Sequence, residues 1–325
     1  MNFKDALRII GLALAAVASA QAQTIPGENY PLRPIRLIVG YSPGGGSDIV
    51  ARMLSKKLAE RLGQPVIVEN KTGAAGMIGA EYVTRAKPDG YTLLFASSGM
   101  MTTNPVIYKK VPYSASNFAP ISTAVSFPFI LLVNAQQPIT TLQELLAYWK
   151  AKPESATFSG AGGIHQLAFA LFKSATGNAG DFIPYRGTSE AIIPVMAGNV
   201  LMTIADSGPA SSALTGGRVR ALAVTSPRRL AAYPNIPTFA EAGLPEMEIQ
   251  SWYGLVAPAG TPMAIVRKVQ QEMHQIVKMK DFEQFASTLQ MIPQDSTSEQ
   301  FAKMIAADLA RWRAVAKASN IEAVD

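Results

Sequence analysis

Hydrophobic and polar positions along this chain switch repeatedly between two periods. Ile35–Val39 is a short apolar run of β type; behind it Ile49, Val50, Met53, Leu54 and Leu58 fall on one helical stripe, with Arg52, Lys56, Lys57 and Glu60 opposite. Gly63 stops that helix, Val66–Glu69 forms a second strand, another helix starts at Met77, and Tyr91–Ala96 is a third strand. Strand, helix, strand, helix, strand at this spacing predicts a mostly parallel sheet wrapped by helices, with ligands at the carboxyl ends of the strands. The pattern then restarts. Phe129–Val133 reads as a strand, Thr141–Lys150 as a helix, and Thr157-Phe158-Ser159 as a strand entering Gly160-Ala161-Gly162-Gly163 and a helix over Ile164–Lys173. Asp181–Pro184, Gly187–Ala197, Leu201–Ala205 and Val219–Thr225 continue the alternation.

Two such blocks predict two lobes. Residues 126–249 form the second, inserted between the parts of a first lobe made of 23–125 and 250–325, with the apolar strand Trp252–Val256 leading back. Strands crossing between lobes would act as a hinge rather than a tether. Phe301, Met304, Ile305, Leu309 and Trp312 mark an amphipathic C-terminal helix expected to pack on the first lobe.

The N-terminus adds an address. Lys4 and Arg8 precede an apolar stretch from Ile9 to Ala18 that closes with Ala20-Gln21-Ala22, the pattern of a secretory signal peptide over residues 1–22. Export to the periplasm is therefore expected, without insertion in the membrane, since no later segment is apolar enough for long enough. The chain has no cysteine, so neither a disulfide framework nor a lipid-anchored cysteine follows the signal. A formal charge of +6 fits an anionic ligand, and the charges are scattered without a basic stripe, which argues against nucleic acid. The two histidines, His165 and His274, are too far apart in the chain to make a spaced metal motif.

The candidate chemistry begins at Gly40-Tyr41-Ser42-Pro43-Gly44-Gly45-Gly46-Ser47-Asp48. A strand ending in glycines and a Ser/Asp helix start delivers unpaired backbone N–H groups to one point, which suits a small anion. The same run matches G-x-S-x-G, so a secreted serine hydrolase using Ser42 is the alternative. Pro43 weighs against it, because the residue after the nucleophile must give its N–H to the oxyanion hole and proline has none; one such donor is worth about 3 kcal/mol. As an anion cradle the run is coherent: Gly44, Gly45 and Gly46 permit close approach, while Ser47 and Asp48 can cap the helix. A plain helix entry with flexible glycines is the structural alternative. Asp48 reads better as a cap or brace than as a ligand contact. Gly73–Gly76 lacks the dinucleotide fingerprint, and no nucleotide-triphosphate loop exists, so no cofactor is expected.

Ser97 and Ser98 end the third strand. Across the expected cleft stand Ser159, Gly160, Gly162 and His165, with Tyr185, Arg186 and Gly187 behind a strand. His165 is either a ligand donor or a first-turn surface histidine. Arg186 has the electrostatic case for an anion, though a loop arginine is commonly solvated; Asp206, after Leu201–Ala205, could meet a ligand or a hinge water.

The chain resembles the Bug-type periplasmic receptors of tripartite tricarboxylate transporters. The resemblance is carried by Tyr30-Pro31-Leu32-Arg33-Pro34-Ile35 into Pro43–Asp48, by Val68-Glu69-Asn70-Lys71-Thr72-Gly73-Ala74-Ala75-Gly76, and by Lys87-Pro88-Asp89-Gly90-Tyr91-Thr92-Leu93. Ile183–Gly187, Val219–Ser226, Ile236–Gly243 and Trp252–Pro262 extend it through the remainder. It implies an α/β two-lobed Venus-flytrap, the type II periplasmic binding protein fold with mixed sheets flanked by helices. The function implied is capture of a small carboxylate, such as a di- or tricarboxylate, an amino acid or an aromatic acid, for delivery to a membrane permease. A receptor feeding a signalling partner would use the same pocket. The expected ligand set is Tyr41, Ser42, Gly44, Gly45, Gly46, Ser47, Asp48, Ala74, Ala75, Ser97 and Ser98 from the first lobe, and Gly160, Ala161, Gly162, His165, Arg186 and Asp206 from the second. No catalytic residue, metal or cofactor is expected, and the protein is expected to be a monomer.

Overall fold

The computed structural model describes residues 29–153, 156–185 and 187–324; the expected signal peptide and Arg186 lie outside them. In the first half of the molecule β1 (Ile35–Val39) lies between β2 (Val66–Asn70) and β3 (Thr92–Ser97) and runs parallel to both, with Leu37 opposite Val68 and Leu93. The helices α1 (Gly46–Leu62) and α2 (Met77–Thr84) make the crossovers. A short helix, α3 (Asn104–Ile107), precedes the long strand β4 (Phe118–Asn134). In the second half come α4 (Leu142–Ala151), β5 (Thr157–Ala161), α5 (Gly162–Thr176), β6 (Asp181–Tyr185) and α6 (Thr188–Met196). They are followed by β7 (Met202–Asp206), α7 (Ser207–Thr215) and β8 (Val219–Val224). The chain returns through β9 (Gln250–Pro258), α8 (Met263–Ile276), α9 (Lys280–Thr288), the two-residue β10 (Ile292–Pro293) and α10 (Ser298–Ala318).

The strand β4 belongs to both halves. Its first part pairs antiparallel with β9, which pairs in turn with β3, while from Phe129 onward it pairs antiparallel with β7 and β8. Beyond β7, β5 and β6 continue the second sheet in parallel. Each half is therefore a mixed sheet, and the continuous backbone of β4 carries the chain from one to the other. The alternation of side chains explains its burial: Phe129, Leu131 and Val133 enter one core cluster while Ile130 and Leu132 enter the cluster on the other face.

The cores follow the same division. Leu37, Leu54, Phe95, Val269 and Leu255 pack together in the first half; Trp149, Phe158, Phe172 and Phe239 do so in the second. Each large side chain removed from water in this way contributes about 1.5–3 kcal/mol. α10 departs from expectation: its 21 residues, about 30 Å long at 1.5 Å per residue, pack on both halves. Phe301 and Ile305 join the first-half core beside Trp252, whereas Trp312 and Ala316 lie in the second-half core. Trp252 Nε1 donates to Asp308 at 3.0 Å, and Arg311 donates to the carbonyls of Glu246 and Glu248, both at 2.7 Å. Burial raises the Asp308 carboxyl above its ordinary range, with the Trp252 N–H opposing that rise.

Candidate ligand cleft

A cleft of about 880 Å³ opens between the halves. Its first wall is built where β1 ends and the chain swings into α1. Gly44 holds φ +81, a conformation that favours glycine, and Gly45 is the extended N-cap residue of α1 with no side-chain cap bond. Ser47 and Asp48 thus sit inside the first turn instead of capping it, which corrects the sequence expectation. Asp48 is buried under the loop: its Oδ2 accepts from the Gly44 N–H at 3.0 Å and Arg52 Nε at 2.9 Å, and its Oδ1 accepts from Asn70 Nδ2 at 2.8 Å. Asn70 also donates to the Tyr41 carbonyl at 3.0 Å. Burial alone would raise this carboxyl, but the Arg52, Gly44 and Asn70 hydrogen bonds outweigh it and hold Asp48 at about 2. Asp48 is a brace that fixes the loop to β2.

The freed Ser47 hydroxyl is the consequence. Ser47 is 4% exposed, and its Oγ has no hydrogen-bond partner among the described residues, although it lines the cleft. Ser97 and Ser98 also line the cleft but are engaged, Ser97 Oγ with Tyr41 Oη at 2.8 Å and Ser98 Oγ with Ser251 Oγ at 2.6 Å. At the floor, Tyr253 contacts Phe95 and Phe127 with ring centroids 5.4 and 5.0 Å apart. Burial pushes the Tyr253 phenol up, with smaller contributions from Asp206 and Tyr41.

Three helix N-termini make the second wall. Ala161 precedes α5, Gly187 precedes α6 and Asp206 precedes α7, and all three residues line the cleft. Thr188 Oγ1 donates to Asp206 Oδ2, and Ser207 Oγ donates across the halves to the Gln290 carbonyl at 2.9 Å. His165 is 2% exposed, with Nδ1 against the Ala161 carbonyl and its ring edge-on to Phe129 at 5.5 Å. It is therefore a buried histidine and not a surface one. Its Nε2, like Ser47 Oγ, has no partner among the described residues. With α1, four helix N-termini converge on one space, and each end carries about half a positive charge from its unpaired N–H groups. Among the described residues the wall carries no lysine or arginine, and Asp206 is its one carboxylate. The arrangement can hold an anion by dipoles and hydroxyls.

Of the residues expected from sequence, the structure brings Tyr41, Gly44, Gly45, Gly46, Ser47, Ser97, Ser98, Ala161, His165 and Asp206 to the cleft wall. The others stand elsewhere. Ser42 is exposed and does not line the cleft, Asp48 lies buried beneath the loop, and Gly162 is exposed at the start of α5 with φ +69. Gly160 lies behind His165; a Cβ there would come within 2.5 Å of the His165 Cβ. Ala74 and Ala75 are exposed with φ of 47 and 52, and the Ala75 carbonyl accepts from Asn104 Nδ2 at 3.0 Å. Arg186 lies outside the described residues. The wall also includes Phe127, Thr188, Ser189, Ser207, Ser251, Tyr253, Leu289 and Met291, which sequence reasoning missed. Thr188 and Ser207 had a usable signal, since each opens a helix after a strand as Ser47 does. Nothing local marks Leu289 or Met291.

Ser42 has no histidine beside it. His165 spends Nδ1 on Ala161, and His274 pairs with Asp295 and contacts Lys278. Among the described residues no three histidine, cysteine or acidic side chains are grouped to hold a metal, and no helix is long and apolar enough to cross a membrane.

Two α/β halves sharing a strand, with helix N-termini converging from both on the space between, define a two-lobed binding protein of the periplasmic type. An R. palustris protein solved with adipate has the same architecture, at a TM-score of 0.80 and 30% identity over 91% of this chain and all of the other. MatC from Rhodopseudomonas palustris, solved with bound malate, matches at a TM-score of 0.74 and 28% identity over 88% of this chain and 99% of that one. Protein BugT of Bordetella pertussis is 32% identical over 321 residues, 98% of each chain. Residues 50–321 match the tripartite tricarboxylate transporter family receptor, and the chain belongs to that family of solute-binding receptors.

Proposed function

We propose that this receptor captures a small carboxylate in the cleft and delivers it, in the periplasm, to the membrane permease of a tripartite tricarboxylate transporter. The observation that carries the proposal is the meeting, in one cleft, of four helix N-termini with an unpartnered, buried Ser47 hydroxyl. The ligand carboxylate takes Ser47 Oγ–H and the first N–H groups of α1, with Tyr41, Gly44, Gly45, Gly46, Ser97 and Ser98 shaping the surroundings. Ala161, His165 and Asp206 meet the remainder of the ligand from the other lobe. Charge-assisted hydrogen bonds of this kind contribute about 1.5–3 kcal/mol each. Relatives solved with adipate and malate support the ligand class.

The lobes divide at 23–125 plus 250–325 and 126–249, and β4 and β9 form the hinge. No bond is made or broken: a ligand touching both lobes need only favour the closed state over the open one. The chain is exported by cleavage after Ala22 and works as a monomer. A thermal-shift panel of carboxylates tests this directly. An acid at a hundred times its Kd should add about 2.7 kcal/mol of stability, and a panel of mono-, di- and tricarboxylates without a single shift would sink it.

A further inference from the structure

Two phenols line the cleft among the described residues, and only one of them is engaged within the protein. Tyr41 Oη is paired with Ser97 Oγ, whereas Tyr253 Oη has no hydrogen-bond partner among the described residues. The Tyr253 ring is fixed on a rigid element: in β9 it stands opposite Ser97 of β3 and Val125 of β4, and Phe95 and Phe127 pack against it. Gly46 locates the hydroxyl. A Cβ at Gly46 would stand 3.9 Å from Tyr253 Oη and 3.4 Å from Met291 Cε, so the phenol oxygen lies over the first turn of α1, beside the residue that precedes Ser47. Burial, with Asp206 and Tyr41 adding to it, pushes this phenol up, so it keeps its proton and can donate. Ser47 Oγ is the other hydroxyl at this turn without a partner. A carboxylate seated on α1 has two oxygens, and between them they can accept from Ser47 on the helix and from Tyr253 on the strand.

We infer that Tyr253 donates to the second oxygen of the carboxylate held by Ser47 and α1, so that the seat is a clamp between the first turn of α1 and the floor strand β9. This rests on the carboxylate reading above. Calorimetry with adipate, malate and benzoate on the wild-type protein, Tyr253→Phe, Ser47→Ala and the double variant tests it; where none of the three binds the wild type, the strongest binder of the wider panel replaces them. For each acid that the wild type binds, Tyr253→Phe, which keeps the ring and its packing, should weaken binding about ten- to a hundredfold. The loss in the double variant should differ from the product of the two single losses by more than about twofold, because both hydroxyls hold one group. Gly46→Ala sets a methyl group between the first turn of α1 and Tyr253 Oη, at a backbone conformation without positive φ. It should weaken the same acids, and it serves as the second variant if Tyr253→Phe does not fold. Unchanged affinity in Tyr253→Phe would overturn the inference. So would single losses that multiply, since Tyr253 would then be reading another part of the ligand. In either case carboxylate capture stands, because the wild type binds. If no acid of the panel binds the wild type, carboxylate capture falls and the role of Tyr253 falls with it.

Discussion

Replacing Asp48 by alanine removes the brace under the glycine loop. The side chain is 3% exposed and accepts three hydrogen bonds, from Gly44, Arg52 and Asn70, which hold its carboxyl at about 2. An unfolded aspartate titrates near 3.9, so the difference of nearly two units corresponds to about 2.5 kcal/mol favouring the charged, folded form. Because the folded value is the lower one, this stabilisation is complete above about pH 5 and fades as the pH falls from about 5 through about 2. Leaving the Gly44 N–H and the Asn70 amide without their acceptor adds about 1 kcal/mol that does not depend on pH. Asp48→Ala should therefore lose about 3.5 kcal/mol at pH 7 and only about 1–1.5 near pH 2. Urea unfolding followed by tryptophan fluorescence at several pH values reads both quantities. A stability gap that stays constant from pH 7 to pH 2, or one below about 0.5 kcal/mol at pH 7, would refute the reasoning.

Three further outcomes are expected. Ser47→Ala should weaken carboxylate binding by about 1–3 kcal/mol in calorimetry while leaving the unfolding midpoint in place, because its hydroxyl has no partner within the protein; unchanged affinity would remove Ser47 from the site. Ala75→Gly should raise stability by about 0.5–1 kcal/mol, since Ala75 holds φ 52 and glycine adopts that conformation without the Cβ penalty; a loss in denaturant titration would show that the turn is not strained. A fluorophosphonate should leave Ser42 unlabelled and Ser42→Ala should bind carboxylates as the wild type does, whereas a Ser42 adduct in mass spectrometry would revive the hydrolase alternative.

The parts of the fold set by local periodicity were legible in the chain. β1 with the glycine loop and α1, and β5 with its glycine loop and α5, could be read because a short apolar run, a break and a helical stripe follow one another within about twenty residues. The long strand β4 could be read only as Phe129–Val133. Pro120 and Pro128 interrupt its pattern, and the register shifts around Pro120/Ser122 and Thr123/Val125 that admit it are properties of its pairing with β9. Ser47 was legible as a residue of the candidate cleft, but not as an uncapped one: a serine after glycines looks like a cap, and here Gly45 occupies that position. Met291 and Phe127 reach the cleft through the packing of β10 and β4, a long-range contact for which sequence spacing carries no signal. The burial of His165 likewise depends on Phe129 and on the absence of a side chain at Gly160, residues that meet it only in the fold.

Carboxylate capture between the lobes is tested most directly by a crystal structure of the protein with the acid that gives the largest thermal shift. The expected result is a carboxylate within about 3 Å of Ser47 Oγ and the backbone N–H groups at the start of α1, with the other end of the ligand against the His165 wall. An acid bound outside the cleft, or one inside it whose carboxylate leaves Ser47 Oγ unpartnered, would contradict it.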